Sequence, residues 1–183
     1  NGLSACLADL RQPPKIVITD SQAFVQVAQN TPPESMLTSF SILLARYKAD
    51  LATLVQGSIA MSGLRPGDKV LISEACTHHR MQDDIGTVKI PRLLSRYCQA
   101  ELDYAWSSGL GFPENLADFK LVIHCGACML SRREMLSRLW RVQQAGVPMV
   151  NYGVAIAAAQ GLLPRALSPF PELKIMAEAA DRR

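Results

Sequence analysis

Residues 118–140 read DFKLVIHCGACMLSRREMLSRLW. Leu121, Val122 and Ile123 form an unbroken apolar run, the pattern of a strand covered on both faces of a parallel sheet. The run ends in His124 and Cys125, and two small residues separate Cys125 from Cys128. Ser131 then signs the start of a helix. Glu134, three residues on, completes a capping box, and Met135, Leu136, Leu139 and Trp140 supply the apolar face. The order is strand, thiol-bearing loop, helix. Cys125 and Cys128 therefore fall beside a helix N-terminus, where unpaired N–H groups and the helix dipole favour negative charge.

Two other segments share the strand pattern, PPKIVITDS (13–21) and GDKVLISEA (67–75), and VPMVNYG (147–153) is a fourth candidate. Helical patterns lie between them. SQAFVQVAQ (21–29) predicts a short helix with Asp20 or Ser21 as N-cap. Residues 35–64 predict one long helix, with Phe40, Leu43, Leu44, Tyr47, Leu51, Leu54 and Val55 on one side. Such a stripe suits a central core helix, or one that also pairs with a second subunit. GTVKIPRLLSRYCQ (86–99) predicts a helix interrupted early by Pro91, and ELDYAW (101–106) a further strand. RALSPFPELKIMAEAADRR (165–183), with two prolines and a charged end, reads as a surface tail. Pro66-Gly67-Asp68 is turn chemistry leading into a strand, which predicts a boundary between units 1–66 and 67–183. Alternating strands and helices imply an α/β fold of mostly parallel sheets flanked by helices.

The chain has 183 residues, nearly half of them apolar, enough to bury a sizeable core. Net charge is +3 and the basic residues are scattered without interleaved aromatics, which argues against nucleic acid. No apolar run approaches the roughly 20 residues of a membrane-spanning helix. The opening NGLSACLADLRQ lacks the basic and apolar regions of a signal peptide. Five cysteines are too few, and odd in number, for a disulfide framework, so a reducing cytoplasm is expected. There, a close Cys pair more often binds metal or performs redox work.

Three of the cysteines cluster by topology. VLISEACTHH (70–79) sets Cys76, His78 and His79 just past the end of its strand, as LVIHCGAC sets His124, Cys125 and Cys128 past another. Ligands of open parallel sheets bind in the crevice beyond those ends. If the two strands are neighbours, Cys76 meets Cys125 and Cys128. The remaining thiols read differently: Cys98 as a buried apolar filler closing a helix, Cys6 as incidental in a frayed start. A single cysteine in such a place is as often simply buried as it is functional. Three cysteines and all three histidines in two strand-end loops point to a site. Zinc takes Cys₃His sets, and an iron–sulfur cluster takes three or four Cys, so spacing alone leaves both open.

EACTHH, DDIGTVKIPRLL, LVIHCGACMLSRREMLSRL and GVPMVNYGVAIA together resemble the C-terminal half of the HydF family of [FeFe]-hydrogenase maturation proteins. The hallmark is Cys-x-His, a long gap, then His-Cys-x-x-Cys: here Cys76-Thr77-His78 and His124 to Cys128. ITDSQAF and TSFSILLARYKADL resemble that family's dimerisation domain. The resemblance implies a partial dimerisation domain (1–66) followed by an α/β cluster-binding domain (67–183). It implies a scaffold and carrier, not an enzyme in itself. A [4Fe–4S] cluster on Cys76, Cys125 and Cys128 would keep an exchangeable iron and accept a di-iron precursor bearing CO and cyanide for delivery to apo-[FeFe]-hydrogenase. His78 and His124 are candidates for the open iron or for its surroundings, and His79 for the latter. Implied partners are a second copy (a homodimer, or a tetramer), the apo-hydrogenase and the radical-SAM maturases. The family carries an N-terminal GTPase domain. This sequence contains no G-x-x-x-x-G-K-[ST] loop, so no GTP site is expected in it.

An anionic cargo calls for positive charge. Lys89, Arg92, Arg132 and Arg133 lie near the two loops in sequence, and Lys89 and Arg132 are expected to face the cluster. Arg132 and Arg133 could equally be solvated residues of a first helical turn, where the dipole mildly disfavours them. Asn151 and Tyr152 are expected to line the same crevice, with ordinary strand-end hydrogen bonding as the alternative. Two other functions stay open: a structural zinc-binding interaction module, and an enzyme using an open iron as Lewis acid. The second lacks a convincing acid–base pair, since Glu74, Asp83 and Asp84 are only near in sequence.

Overall fold

A computed structural model describes residues 2–75 and 83–181. In chain order the elements are α1 (Gly2–Ala8), β1 (Ile16–Thr19), α2 (Phe24–Asn30), β2 (Met36–Ser39), α3 (Phe40–Lys48), α4 (Leu51–Met61), β3 (Lys69–Glu74), α5 (Ile90–Cys98), β4 (Asp103–Ser108), β5 (Leu121–His124), α6 (Arg132–Gln144), β6 (Met149–Asn151), α7 (Tyr152–Ala159), α8 (Leu163–Ala166) and α9 (Pro171–Asp181). A π-turn, Ile85–Lys89, leads into α5. Both sheets are parallel: β1 pairs with β2, and four strands run in the order β4-β3-β5-β6. The expected α/β architecture is present, and ELDYAW overlaps the edge strand β4, which starts at Asp103 and runs on to Ser108.

The continuous apolar runs do what their composition requires. Val70, Leu71, Ile72, Leu121, Val122, Ile123, Met149 and Val150 are each at most 1% exposed, because helices cover both faces of the sheet. β1 is different. Ile16 and Ile18 are more than a third exposed, so this strand is not covered on both faces as its sequence suggests.

The predicted helix over 35–64 is three elements. Met36–Ser39 is a strand, Ser39 caps α3 through Ile42 N–H (3.2 Å), and Asp50 caps α4 through Thr53 N–H (3.1 Å). Between them Ala49 is extended and ends α3. Two capping residues outweigh apolar periodicity here. The stripe breaks with them: Leu51, Leu54 and Val55 are buried, whereas Phe40 and Tyr47 are exposed and Ile42 and Ala45 take their place inside.

The supposed surface tail is docked. α8 packs on β2 and α9 on α4, and Leu167 and Ala177 are buried. Ser168 Oγ accepts from Leu37 N–H (2.7 Å) and donates to Leu37 O (3.1 Å), covering the free edge of β2. α4 packs against β6 and α7. The opening segment carrying Cys6 is the short exposed helix α1.

The strand order reverses once. From β3 the chain moves outward to β4, then crosses to the other side of β3 to form β5 and β6. The switch point lies between β3 and β5, and ligands of such sheets bind beyond the strand ends there.

Candidate functional site

β3 and β5 are direct neighbours, in register from Val70↔Leu121 to Ser73↔His124. Cys125 N–H extends the ladder to Ser73 O (2.9 Å). The Cys125 sulfur then accepts two backbone donors, Ala75 N–H at 3.1 Å and Ala127 N–H at 3.4 Å. Such N–H···S bonds stabilise negative charge on a metal-bound sulfur. The first comes from the residue that precedes Cys76, the second from the residue that precedes Cys128. One sulfur thus ties the end of β3 to the turn after β5. The turn is tight because Ala127 takes a left-handed conformation (φ 55°), which costs a non-glycine residue roughly 1 kcal/mol. Cys128 is exposed at its lip and Leu130 is buried beneath. Cys76, His78 and His79 lie outside the described residues. Among the described residues no group of three His, Cys, Asp or Glu side chains gathers within metal-binding reach.

His124 is fully buried, and its ring nitrogens are both engaged. Arg138 Nη1 lies 3.2 Å from Nε2, and a guanidinium only donates, so Nε2 accepts. Nδ1 therefore carries the proton and donates to Cys125 O (2.9 Å). Burial pushes the imidazole down to about 4, and the Arg138 charge adds to this while the Cys125 carbonyl opposes it. His124 thus props the Cys125 peptide as a neutral ring. Arg138, 1% exposed, also donates to Gly109 O (2.7 Å) and Glu134 Oε1 (3.0 Å) and lies over the Phe112 ring. The predicted capping box is half formed. Ser131 Oγ accepts from Glu134 N–H (3.1 Å), but the Glu134 carboxylate turns to Arg138. Trp140, placed on the apolar face by its spacing, is exposed, and Arg138 occupies that face instead.

The remaining predicted residues are spread around the switch point. Asn151 caps α7 through Val154 N–H (3.0 Å) and donates to Ser41 O (2.9 Å) and Ser41 Oγ (3.1 Å) on α3. Tyr152 OH donates to Glu74 Oε1 (3.3 Å) at the end of β3. Burial first, and then the Glu74 charge, push its phenol well above the ordinary value. Gly86 packs against this pair so closely that a Cβ would lie 2.4 Å from Tyr152 OH. Lys89 donates to Gln22 Oε1 (2.8 Å) beside a groove of about 320 Å³ walled by Ile85, Ile90, Leu93 and Ile156. Arg132 is exposed in the first turn of α6. Cys98 Sγ donates to Met61 O (3.1 Å), and burial pushes its thiol up to about 11, as suits a packing residue.

Two residues that sequence reasoning passes over are central. Arg138 had a signal: it falls on the apolar face of α6 with Met135, Leu139 and Val142. Lys48 had none. From the end of α3 its ammonium donates to Ala127 O (2.9 Å), Cys128 O (2.9 Å) and Leu130 O (2.7 Å), across the thiol turn.

No helix among the described residues is long and apolar enough to cross a membrane. A search of curated proteins returns no match. Two family models do match: residues 1–49 the hydrogen maturase F dimerization domain, and residues 52–169 the hydrogen maturase F tetramerization domain. The second match alone covers well over half of the chain and includes the strand order, the switch point and both thiol loops. Residues carrying the two domains form oligomers, and the chain belongs to the hydrogen maturase F family, whose work is hydrogenase maturation.

Proposed function

We propose that this chain is the scaffold that holds a [4Fe–4S] cluster on Cys76, Cys125 and Cys128 and carries a di-iron cargo to apo-[FeFe]-hydrogenase. The observation that supports it is the Cys125 sulfur held by Ala75 N–H, from the residue before Cys76, and by Ala127 N–H, from the residue before Cys128. The donor set fits: soft thiolates at a strand-end crevice, with backbone N–H groups aimed at sulfur. Bound there, a cluster would supply one iron with an exchangeable position for the cargo. The protein residues have separate tasks. Cys125 is oriented by His124 through its carbonyl, and His124 by Arg138. Cys128 is carried on the turn that Lys48 spans. With His124 engaged at both nitrogens, His78 and His79, next to Cys76 in sequence, are the histidines left to serve the exchangeable position. Radical-SAM maturases would supply the cargo, in the reducing cytoplasm, and the scaffold would act as a dimer or tetramer and not as an enzyme.

The test is anaerobic iron and sulfide analysis with EPR of the reduced protein, on wild type and Cys76→Ala. The expected result is about four irons and four sulfides per chain and a reduced-cluster signal, both lost in the variant. Stoichiometric zinc without iron would make the thiols structural and end the carrier reading.

A further inference from the structure

The turn that bears Cys128 is held by a side chain from the other family domain. Lys48 ends α3 within the dimerization match, whereas the turn lies in the tetramerization match. A lysine ammonium has three N–H donors and no acceptor. All three are directed at one turn, at the carbonyls of Ala127, Cys128 and Leu130, 2.7 to 2.9 Å away. These oxygens bracket the Cys128 residue on both sides, so the ammonium fixes where that residue stands. Such support offsets the cost of the left-handed backbone at Ala127, which a non-glycine residue seldom adopts. α3 reaches the neighbourhood a second time. Ser41 Oγ accepts from Gly153 N–H (3.1 Å) and from Asn151 Nδ2 (3.1 Å), and a side chain on Gly153 would strike Ser41 Cβ at 2.7 Å. Two points on one helix thus tie the dimerization domain to the ends of β5 and β6.

We propose that Lys48 is a positioning residue for the cluster: from the dimerization domain it locks the Cys128 turn and sets a fixed positive charge against an anionic site. The role rests on the cluster reading above. A cation beside a cluster favours its reduced, more negative form, so the charge and the clamp are separable in a measurement. Three proteins decide it: wild type, Lys48→Met and Lys48→Arg, each checked for unchanged circular dichroism. Hydrogen exchange of the cluster-free proteins reads the clamp. After anaerobic reconstitution, chelator-driven cluster loss and the reduction potential read the effect on the cluster.

In Lys48→Met, which removes all three charged hydrogen bonds, amides 126–131 should exchange at least about tenfold faster with the sheet strands unchanged, since the loss of one such bond is worth that much. Its cluster should be stripped faster and its potential should fall, while Lys48→Arg restores the potential. Exchange unchanged in Lys48→Met, with wild type loading normally, overturns the clamp alone. Faster exchange with cluster loss and potential both unchanged makes Lys48 a latch of the fold only, and overturns its role at the site. A wild type that takes up no iron overturns the cluster reading and this one with it.

Discussion

At the scale of single residues, the site is a set of side chains holding backbone in place, and Arg138 is the most committed of them. It is buried and serves His124, Gly109 O, Glu134 and the Phe112 ring together. Replacing it with alanine leaves a buried ring nitrogen and a half-buried carbonyl without this donor. We expect Arg138→Ala to lower unfolding stability by about 3 kcal/mol in a urea titration. Arg138→Lys should recover less than half, since one ammonium cannot reproduce the fork. A loss below about 1 kcal/mol would show that water takes over the network. Cys98 makes the opposite case, a thiol with a packing role. With its thiol pushed up to about 11, its thiolate at pH near 8 is about a hundredfold scarcer than that of an ordinary cysteine. Iodoacetamide should therefore modify Cys98 last, and early labelling would contradict the burial. The thiols were legible because C-x-x-C and C-x-H stand beside apolar runs. Lys48 was not, because nothing local marks a lysine whose partners are carbonyls 79 to 82 residues away.

At the scale of elements, strands were legible and helix limits less so. Runs such as Val70-Leu71-Ile72 can satisfy their burial only inside a covered sheet. The stretch 35–64 misled because periodicity continues through Asp50, where the caps break it, and the docked α8 and α9 hide behind prolines that suggest a tail. Gly57 in α4 tests the packing that results. In an exposed helix interior, glycine to alanine gains about 1 kcal/mol. Here a Cβ would lie 1.9 Å from Met149 O and 2.5 Å from Met149 C, both backbone atoms of β6. The helix can approach the strand only because position 57 has no side chain. Gly57→Ala should therefore destabilise by about 2 to 3 kcal/mol in thermal or urea unfolding, as overpacking against a backbone does. A stabilised variant would mean that α4 stands farther from β6 than the structure has it.

At the scale of the whole molecule, the two domains meet at α3 and are also stitched by α8, which returns from the C-terminal segment to β2, while α9 packs on α4. Arg165 donates to Pro32 O (2.9 Å) in the same seam. Sequence turns such as Pro66-Gly67-Asp68 mark where strands begin and say nothing of where a later helix docks. Exposed large apolar side chains occur on both family domains, Leu110, Met129 and Trp140 among them, and one group of them falls on the smaller domain. Ile16, Ile18, Val25, Met36 and Phe40 are large apolar side chains, all more than a third exposed, and all lie within the dimerization match. Monomeric proteins seldom leave such residues grouped on one small unit. A second copy is the occupant that the family domain implies. Placing charge there should separate subunits without unfolding them, since these residues contribute little to the chain's own core. We expect Ile18→Lys combined with Phe40→Asp to reduce the mass measured by light scattering to a smaller oligomer, with circular dichroism unchanged and iron loading retained. An unchanged mass would place the subunit contact elsewhere. A smaller oligomer that no longer binds iron would show that the site depends on the assembly and not on the single chain.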